Sequence, residues 1–251
     1  QADASNLATI SDRFVANNVD LVLAIATPAA QSIAGKTTEI PILGTAITDY
    51  VVARLIDSNE KPGTNVSGTT DMNPVADQIK LIQELFPDTK TVGVMYTSSE
   101  DNSVLQAGMA KEAIEALGMN YVEATVTSSN DVQQATQSIV DSCDAIYIPT
   151  DNVFASSMPV VYEVATAAKK PIIGGEAGMV KSGALATLGI NYYDLGYQTG
   201  LMAIRVLNGE DISAMPIETA AKMDYTFNST YAEAIGYTIP EAYAPFAEPM
   251  A

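Results

Sequence analysis

The chain has no histidine, no tryptophan and a single cysteine, Cys143. Without histidine, Ser-His-Asp and Cys-His catalysis are excluded, and most zinc sites with them. One cysteine cannot form an internal disulfide. Cys143 stands between Ser142 and Asp144 and reads as a small structural thiol, since no imidazole is there to activate it. Positive charge is also scarce. Twelve Lys and Arg face 30 Asp and Glu, a net charge of −18. Such a surface repels phosphate backbones and anionic lipid heads, so nucleic acid and membrane surfaces are disfavoured as partners; cationic and zwitterionic ones are tolerated. Long hydrophobic runs are missing too. The apolar run at 21–26 is far too short to span a bilayer. No GxGxxG, P-loop, CxxC or HExxH occurs, so no cofactor is expected. No signal peptide, lipidation motif or basic run is visible; for an exported protein the targeting segment would already have been removed.

What is present is the composition of a folded globular protein. Apolar residues make up 47% of the 251 and charged residues 17%, which argues against disorder. The length is comfortable for two domains. Buried strands are expected at 21–26, at 42–43 ending on Gly44, and at 91–96, 121–126, 145–148 and 171–173. Near-continuous apolar runs of this kind suit parallel strands covered on both faces. Helices are expected between them, at 4–17, 71–86, 103–117, 131–142 and 193–207. The second has Pro74 in its first turn and Val75, Ile79, Ile82 and Phe86 along one stripe. The fold class that follows is α/β, with doubly wound parallel sheets.

An internal repeat is visible. VDLVLAIATPAAQ followed by IPILGTA matches CDAIYIPTDNVFA followed by KPIIGGEA. Each copy has an Asp, a strand, a polar break, a helix, then a Pro opening a strand that ends in Gly. Two copies predict two similar domains. A strand–helix–strand unit at 91–128 precedes the second copy, and only a helix precedes the first. The first domain is therefore expected to lack a βαβ unit of roughly forty residues, either as a truncated form or as a reduced variant. The exposed sheet centre this leaves would promote self-association.

Ligands of open parallel sheets bind beyond the carboxyl ends of the strands. Here those ends are polar: Thr27, the 44–49 segment GTAITD, the 96–100 segment YTSSE, Thr150-Asp151-Asn152, and Gly174-Gly175-Glu176. Hydroxyls and helix N-termini suit an anionic group, and Asp151 and Glu176 suit a cationic one. Both together describe a free amino acid or a similar zwitterion. Ordinary helix capping accounts for any one of these residues equally well. Tyr192 and Tyr193 are candidates for an aromatic wall, whereas Tyr147 lies mid-strand and reads as core. Asn65-Val66-Ser67 and Asn228-Ser229-Thr230 match glycosylation acceptors, a weak three-residue signal.

The blocks NLATISDRFVANNVDLVLAIATPAAQ, IPILGTAITD, PGTNVSGTTD, TVGVMYTSSEDNS, AIYIPTDNV and KPIIGGEAGMVKSGALATLGINYYDLG run in order through essentially the whole chain. Together they resemble the ABC-transporter substrate-binding proteins of the tryptophan/tyrosine type, within the type I periplasmic-binding-protein fold. The resemblance implies two Rossmann-like lobes joined by crossing segments, with hinge closure on a ligand. The first lobe would comprise 1–69 plus 191–219 and the second 70–190 plus 220–251. It implies an aromatic amino acid as ligand, an ABC permease in the membrane as partner, an extracytoplasmic location and, often, a lipid anchor. A monomer is expected unless the short first lobe self-associates.

Carried over residue by residue, Thr27 and a turn over 45–48, with Thr45, Ala46 and Thr48, would line the first lobe. Tyr96, Thr97, Ser98, Ser99 and Asn102 would contact the carboxylate or ammonium. Asp151 and Asn152 match the PTDN turn, with Asp151 expected on the ammonium and Glu176 as the alternative counter-ion. Asn191 and Tyr192 would lie near the hinge. The implied protein is not an enzyme. The alternative is an enzyme on the same architecture, using Asp151 and Glu176 as acid/base groups or metal ligands. A ligand sensor docking on a receptor would share the binding residues and differ only in partner.

Overall fold

The structure is a computed structural model, and it describes residues 4–220 and 222–250. The elements run α1 (Ala4–Ala16), β1 (Val22–Ile25), α2 (Thr27–Ala34), β2 (Ile42–Ile47), β3 (Val66–Thr70), α3 (Val75–Leu85), β4 (Thr91–Thr97), α4 (Asp101–Ala116), β5 (Asn120–Val126) and α5 (Val132–Ile139). Then follow β6 (Ala145–Ile148), α6 (Asn152–Ala167), β7 (Ile172–Gly174), α7 (Ala177–Lys181), β8 (Ala186–Ile190), α8 (Tyr192–Leu207), β9 (Glu218–Thr219), β10 (Met223–Asn228), α9 (Ser229–Ile235) and β11 (Ala247–Glu248). The chain divides into two compact units. Unit 1 holds residues 1–72 and 190–222; unit 2 holds 73–189 and 223–251.

Unit 1 has a four-stranded parallel sheet in the order β1-β2-β3-β9. Successive residues of β2 serve opposite faces. Ile42 and Ile47 join Ala30 and Ile33 of α2 on one side, and Leu43 joins Met202, Ala203 and Val206 of α8 on the other. That double coverage is what a near-continuous apolar strand requires. At Gly68 the φ is +146°, and a Cβ there would lie 2.0 Å from the carbonyl oxygen of Gly44, so β2 and β3 approach where only glycine fits. Among the described residues, β1 pairs with β2 alone. Its Val22 and Ala24 are buried, but Leu23 is 55% exposed and Ile25 68%. Leu23 stands opposite Leu43, on the side of the sheet that α8 covers. Along α8, Tyr193, Tyr197, Leu201, Ile204 and Leu207 form an exposed apolar stripe at helical spacing.

Unit 2 has a seven-stranded sheet in the order β11-β10-β8-β7-β6-β4-β5, with β4 through β8 paired in parallel. All four residues of β6 are buried. The Tyr147 ring is enclosed, and its hydroxyl donates to Gln78 Oε1 at 2.7 Å. Burial pushes the Cys143 thiol up to about 11, in keeping with an inert structural residue. The chain leaves β4 for β5 on one side and returns to β6 on the other. The strand order therefore reverses at β4 and β6, which is the topological switch point of this sheet.

Several sequence expectations are corrected. The helix expected from 71 begins only at Val75. Pro74 disfavours helical backbone in the residue before it, which leaves Asp71 free to turn inward from the end of β3. The strand expected to end at Gly44 runs on to Ile47, so Thr45 and Ala46 are strand residues rather than turn residues. The β2–β3 register shifts between Gly44 and Ile47, and Ala46 sits in that stretch at a φ of +55°. The helix expected over 131–142 is α5, which ends at Ile139 and is preceded by a 3-10 turn at Ser129–Asp131. The 66–70 strand VSGTT escaped notice because Ser, Gly and Thr carry no apolar signal. Both glycosylation matches face inward. Asn65 donates its amide to Thr37 and Ile40 carbonyls, and Asn228 is buried as the cap of α9.

Candidate functional site

Polar side chains gather at the carboxyl ends of the strands in each unit. In unit 1 the centre of the group is Asp71, just past β3 and buried. The Thr48 hydroxyl donates to its Oδ1 at 3.1 Å, and the Tyr192 hydroxyl to its Oδ2 at 2.7 Å. Burial raises the Asp71 carboxyl above the usual carboxylate range, and the two hydroxyl donors pull against that rise. Thr48 is anchored in turn, its carbonyl accepting from the Thr70 hydroxyl at 2.7 Å. Thr45 accepts from the Thr69 hydroxyl at 3.2 Å. Ala46 is half-buried at the end of β2. Thr27 is buried as the first residue of α2, behind Ala26 at a φ of +74°. Asn191 is exposed and caps α8, accepting from the backbone N–H groups of Tyr193 and Asp194.

In unit 2 the switch point holds the denser group. Asp151 caps α6 and is 1% exposed. Its Oδ2 accepts from the Thr97 N–H at 2.6 Å, and its Oδ1 accepts from the Thr97 hydroxyl and the Phe154 N–H, each at 2.8 Å. Three donors thus occupy the carboxylate, and it ties the end of β4 to the start of α6. Ser98 and Ser99 are exposed just beyond β4, and Tyr96 donates its hydroxyl to Glu123 at 3.1 Å. Glu176 is half-buried and caps the short α7, accepting from the N–H groups of Gly178 and Met179.

Sequence reasoning passed over Glu100, although it stands inside the TSSEDNS block. It is 7% exposed. Its Oε2 accepts from Asn152, from the backbone N–H at 3.2 Å and from the side-chain amide at 2.7 Å, and from the Asn102 amide at 3.5 Å. Burial first, and the Asp151 charge second, raise the Glu100 carboxyl above its ordinary value. The side chains of Thr97, Glu100, Asn102, Asp151 and Asn152 therefore meet at one place. Asp71 was passed over for another reason: an acidic residue before Pro74 reads as a helix start. Among the described residues, no group of three or more acidic or Cys side chains is placed to hold a metal ion.

A family model, ABC transporter substrate binding protein, matches residues 1–249. The chain belongs to this family. It is thus a substrate-binding protein of an ABC transporter with the type I periplasmic-binding-protein fold. It is 41% identical over 235 residues to a tyrosine-binding protein of Clostridioides difficile (strain R20291), covering 94% of this chain and 68% of that one. An ABC domain from Streptococcus pneumonia, solved in complex with L-Trp, is 38% identical with a TM-score of 0.94, covering 100% of this chain and 87% of that one. A ligand-free, open substrate binding protein with adhesive properties from Clostridium difficile is 43% identical with a TM-score of 0.73, covering 100% and 85%. Among the described residues, no helix of this family member is long and apolar enough to cross a membrane.

Proposed function

We propose that this chain is the extracytoplasmic receptor of an ABC importer, that its ligand is a free aromatic amino acid, and that it delivers this ligand to a membrane permease without chemical change. The observation that carries the reading is the likeness to a tyrosine-binding protein along nearly the whole chain. The L-Trp held by a second relative supports the same ligand class. The polar strand ends suit a zwitterion. Exposed Ser98 and Ser99 precede the 16-residue α4, whose N-terminus favours a carboxylate. Thr27, Thr45, Ala46, Thr48, Asn191 and Tyr192 are the proposed unit 1 contacts, and Tyr96, Asn102, Asn152 and Glu176 the further unit 2 contacts. Asp151 and Thr97 hold the unit 2 group in shape, because each already satisfies the other.

A thermal-shift panel against the twenty amino acids tests the reading. A ligand at a hundred times its dissociation constant adds about 2.7 kcal/mol to stability. The expected result is a shift with Tyr and Trp, less with Phe, and none with aliphatic or charged amino acids. No shift with any aromatic amino acid would overturn the ligand class. Binding of radiolabelled ligand to vesicles carrying the cognate permease, dependent on ATP and on this chain, tests delivery.

A further inference from the structure

Glu100 is a carboxylate with one oxygen committed and one not. Asn152 and Asn102 donate to its Oε2, and among the described residues nothing donates to Oε1. No Lys or Arg pairs with it among the described residues. A nearly buried anion beside a second buried anion, Asp151, is a costly arrangement unless a cation completes it. A second observation points the same way. Asn102 is 5% exposed, and its Oδ1 is buried with no hydrogen-bond partner. The orientation of this amide is fixed. Its Nδ2 donates to the Thr150 carbonyl at 3.0 Å and lies within hydrogen-bond reach of Ser103 Oγ and Glu100 Oε2, so a flipped amide would set oxygen against a carbonyl and a carboxylate. Two residues whose amide and carboxylate touch at Nδ2 and Oε2 thus each carry, among the described residues, an acceptor without a donor, at the sheet's switch point, where ligands of such sheets bind.

We infer that Glu100 and Asn102 receive the primary ammonium of the ligand, an inference that rests on the amino-acid reading above. An ammonium offers three donors, which suits a carboxylate oxygen together with an amide oxygen. This assignment moves the counter-ion from Asp151, whose oxygens are taken, to a neighbour with capacity left. It makes the α-amino group a recognised feature, so that acids lacking it are discriminated against.

The test is isothermal titration of the full chain and its Glu100→Gln variant with L-Tyr and L-Trp, and with the corresponding 3-arylpropanoates, which lack only the amino group. The expected result is a loss of roughly a hundredfold or more in affinity for the amino acids, and less than about threefold for the arylpropanoates. Unchanged amino-acid affinity in the variant overturns the assignment. Equal losses for both ligand classes overturn it too, since they would mark a structural role. A wild-type chain that binds no aromatic amino acid fails the underlying reading instead. The ligand-free melting temperature supplies an independent readout. Glu100→Gln removes an uncompensated charge and is expected to raise it while abolishing the amino-acid shift. A fall in the ligand-free value would show that Glu100 serves the fold.

Discussion

Two short strands occupy matching places in the two units. VLAI in β1 and AIYI in β6 both follow an Asp and precede a polar break and a helix. Val22 pairs with Ile42 as Ile146 pairs with Ile172, and Ala24 meets Gly44 as Ile148 meets Gly174. Leu23 is thereby the counterpart of Tyr147. One is more than half exposed and the other is fully buried. The difference is a neighbour. β6 has β4 on its far side, and β4 brings β5 with it; among the described residues β1 has no strand on its far side. The same local pattern thus yields a central strand or an edge strand according to what the sheet adds next. It also yields a switch point in unit 2, where the ammonium site is proposed, and none among the described residues of unit 1.

The largest expected effect separates these twins. Tyr147→Ala removes a buried ring and should cost about 3–5 kcal/mol. Leu23→Ala should cost under about 0.5 kcal/mol, as surface changes do. Urea unfolding of both variants checks the contrast; a Leu23→Ala cost near 2 kcal/mol would mean that the outer face of β1 is covered in solution. Next comes Gly68→Ala. It forces a Cβ against a backbone oxygen at an unsuitable φ, for about 1–3 kcal/mol of destabilisation in unit 1.

Tyr192→Phe should cost about 2 kcal/mol, because a buried carboxylate loses a donor. Asp71 also carries a pH signature. Its folded-state pKa is raised, so the folded chain holds this proton at pH values where the unfolded chain has released it. The stability contributed by protonated Asp71 is full below the unfolded carboxylate value and is lost as pH rises through the folded one. Wild type should therefore lose stability relative to Asp71→Asn as pH is raised across that interval, read as the gap between their urea midpoints. A gap that stays constant with pH would deny the raised value.

The smallest effect on stability, though not on assembly, belongs to Leu23→Lys combined with Ile25→Lys. Charge on an open edge blocks edge pairing. The double variant should unfold within about 0.5 kcal/mol of wild type. Sedimentation should show it less associated at high concentration than the parent chain. A parent that stays monomeric throughout would remove this edge as an assembly site.

How much of this was legible from residues alone follows physical lines. β1, β4, β6 and α8 announce themselves by apolar runs or stripes, and the repeat at 19–46 and 143–177 points to paired domains. β3 does not announce itself, since its Ser, Gly and Thr are buried through hydrogen bonds and glycine packing rather than through apolar side chains. The polar strand ends were visible as candidates. Their division of labour was not, because it depends on which oxygens are already taken. Asp151 stands out in the sequence as the counter-ion, yet its oxygens carry three donors; Glu100 is only one member of a polar strand end there, yet its Oε1 has no donor among the described residues.

The Asp71 cluster joins residues far apart in the chain. Thr48 and Tyr192 both donate to it, Thr69 bonds to Thr199, and Ser67 donates to the Met215 carbonyl. On a ribosome, residues 1–72 must then wait until 190–222 emerge before these bonds can close. At about 5–20 residues per second that delay is on the order of ten seconds. During it the first segment has a half-built sheet, and most of unit 2, all but its 223–251 segment, is synthesised. A nascent chain stalled before residue 190 should leave the 1–72 segment open to protease, and one stalled well beyond 222 should not.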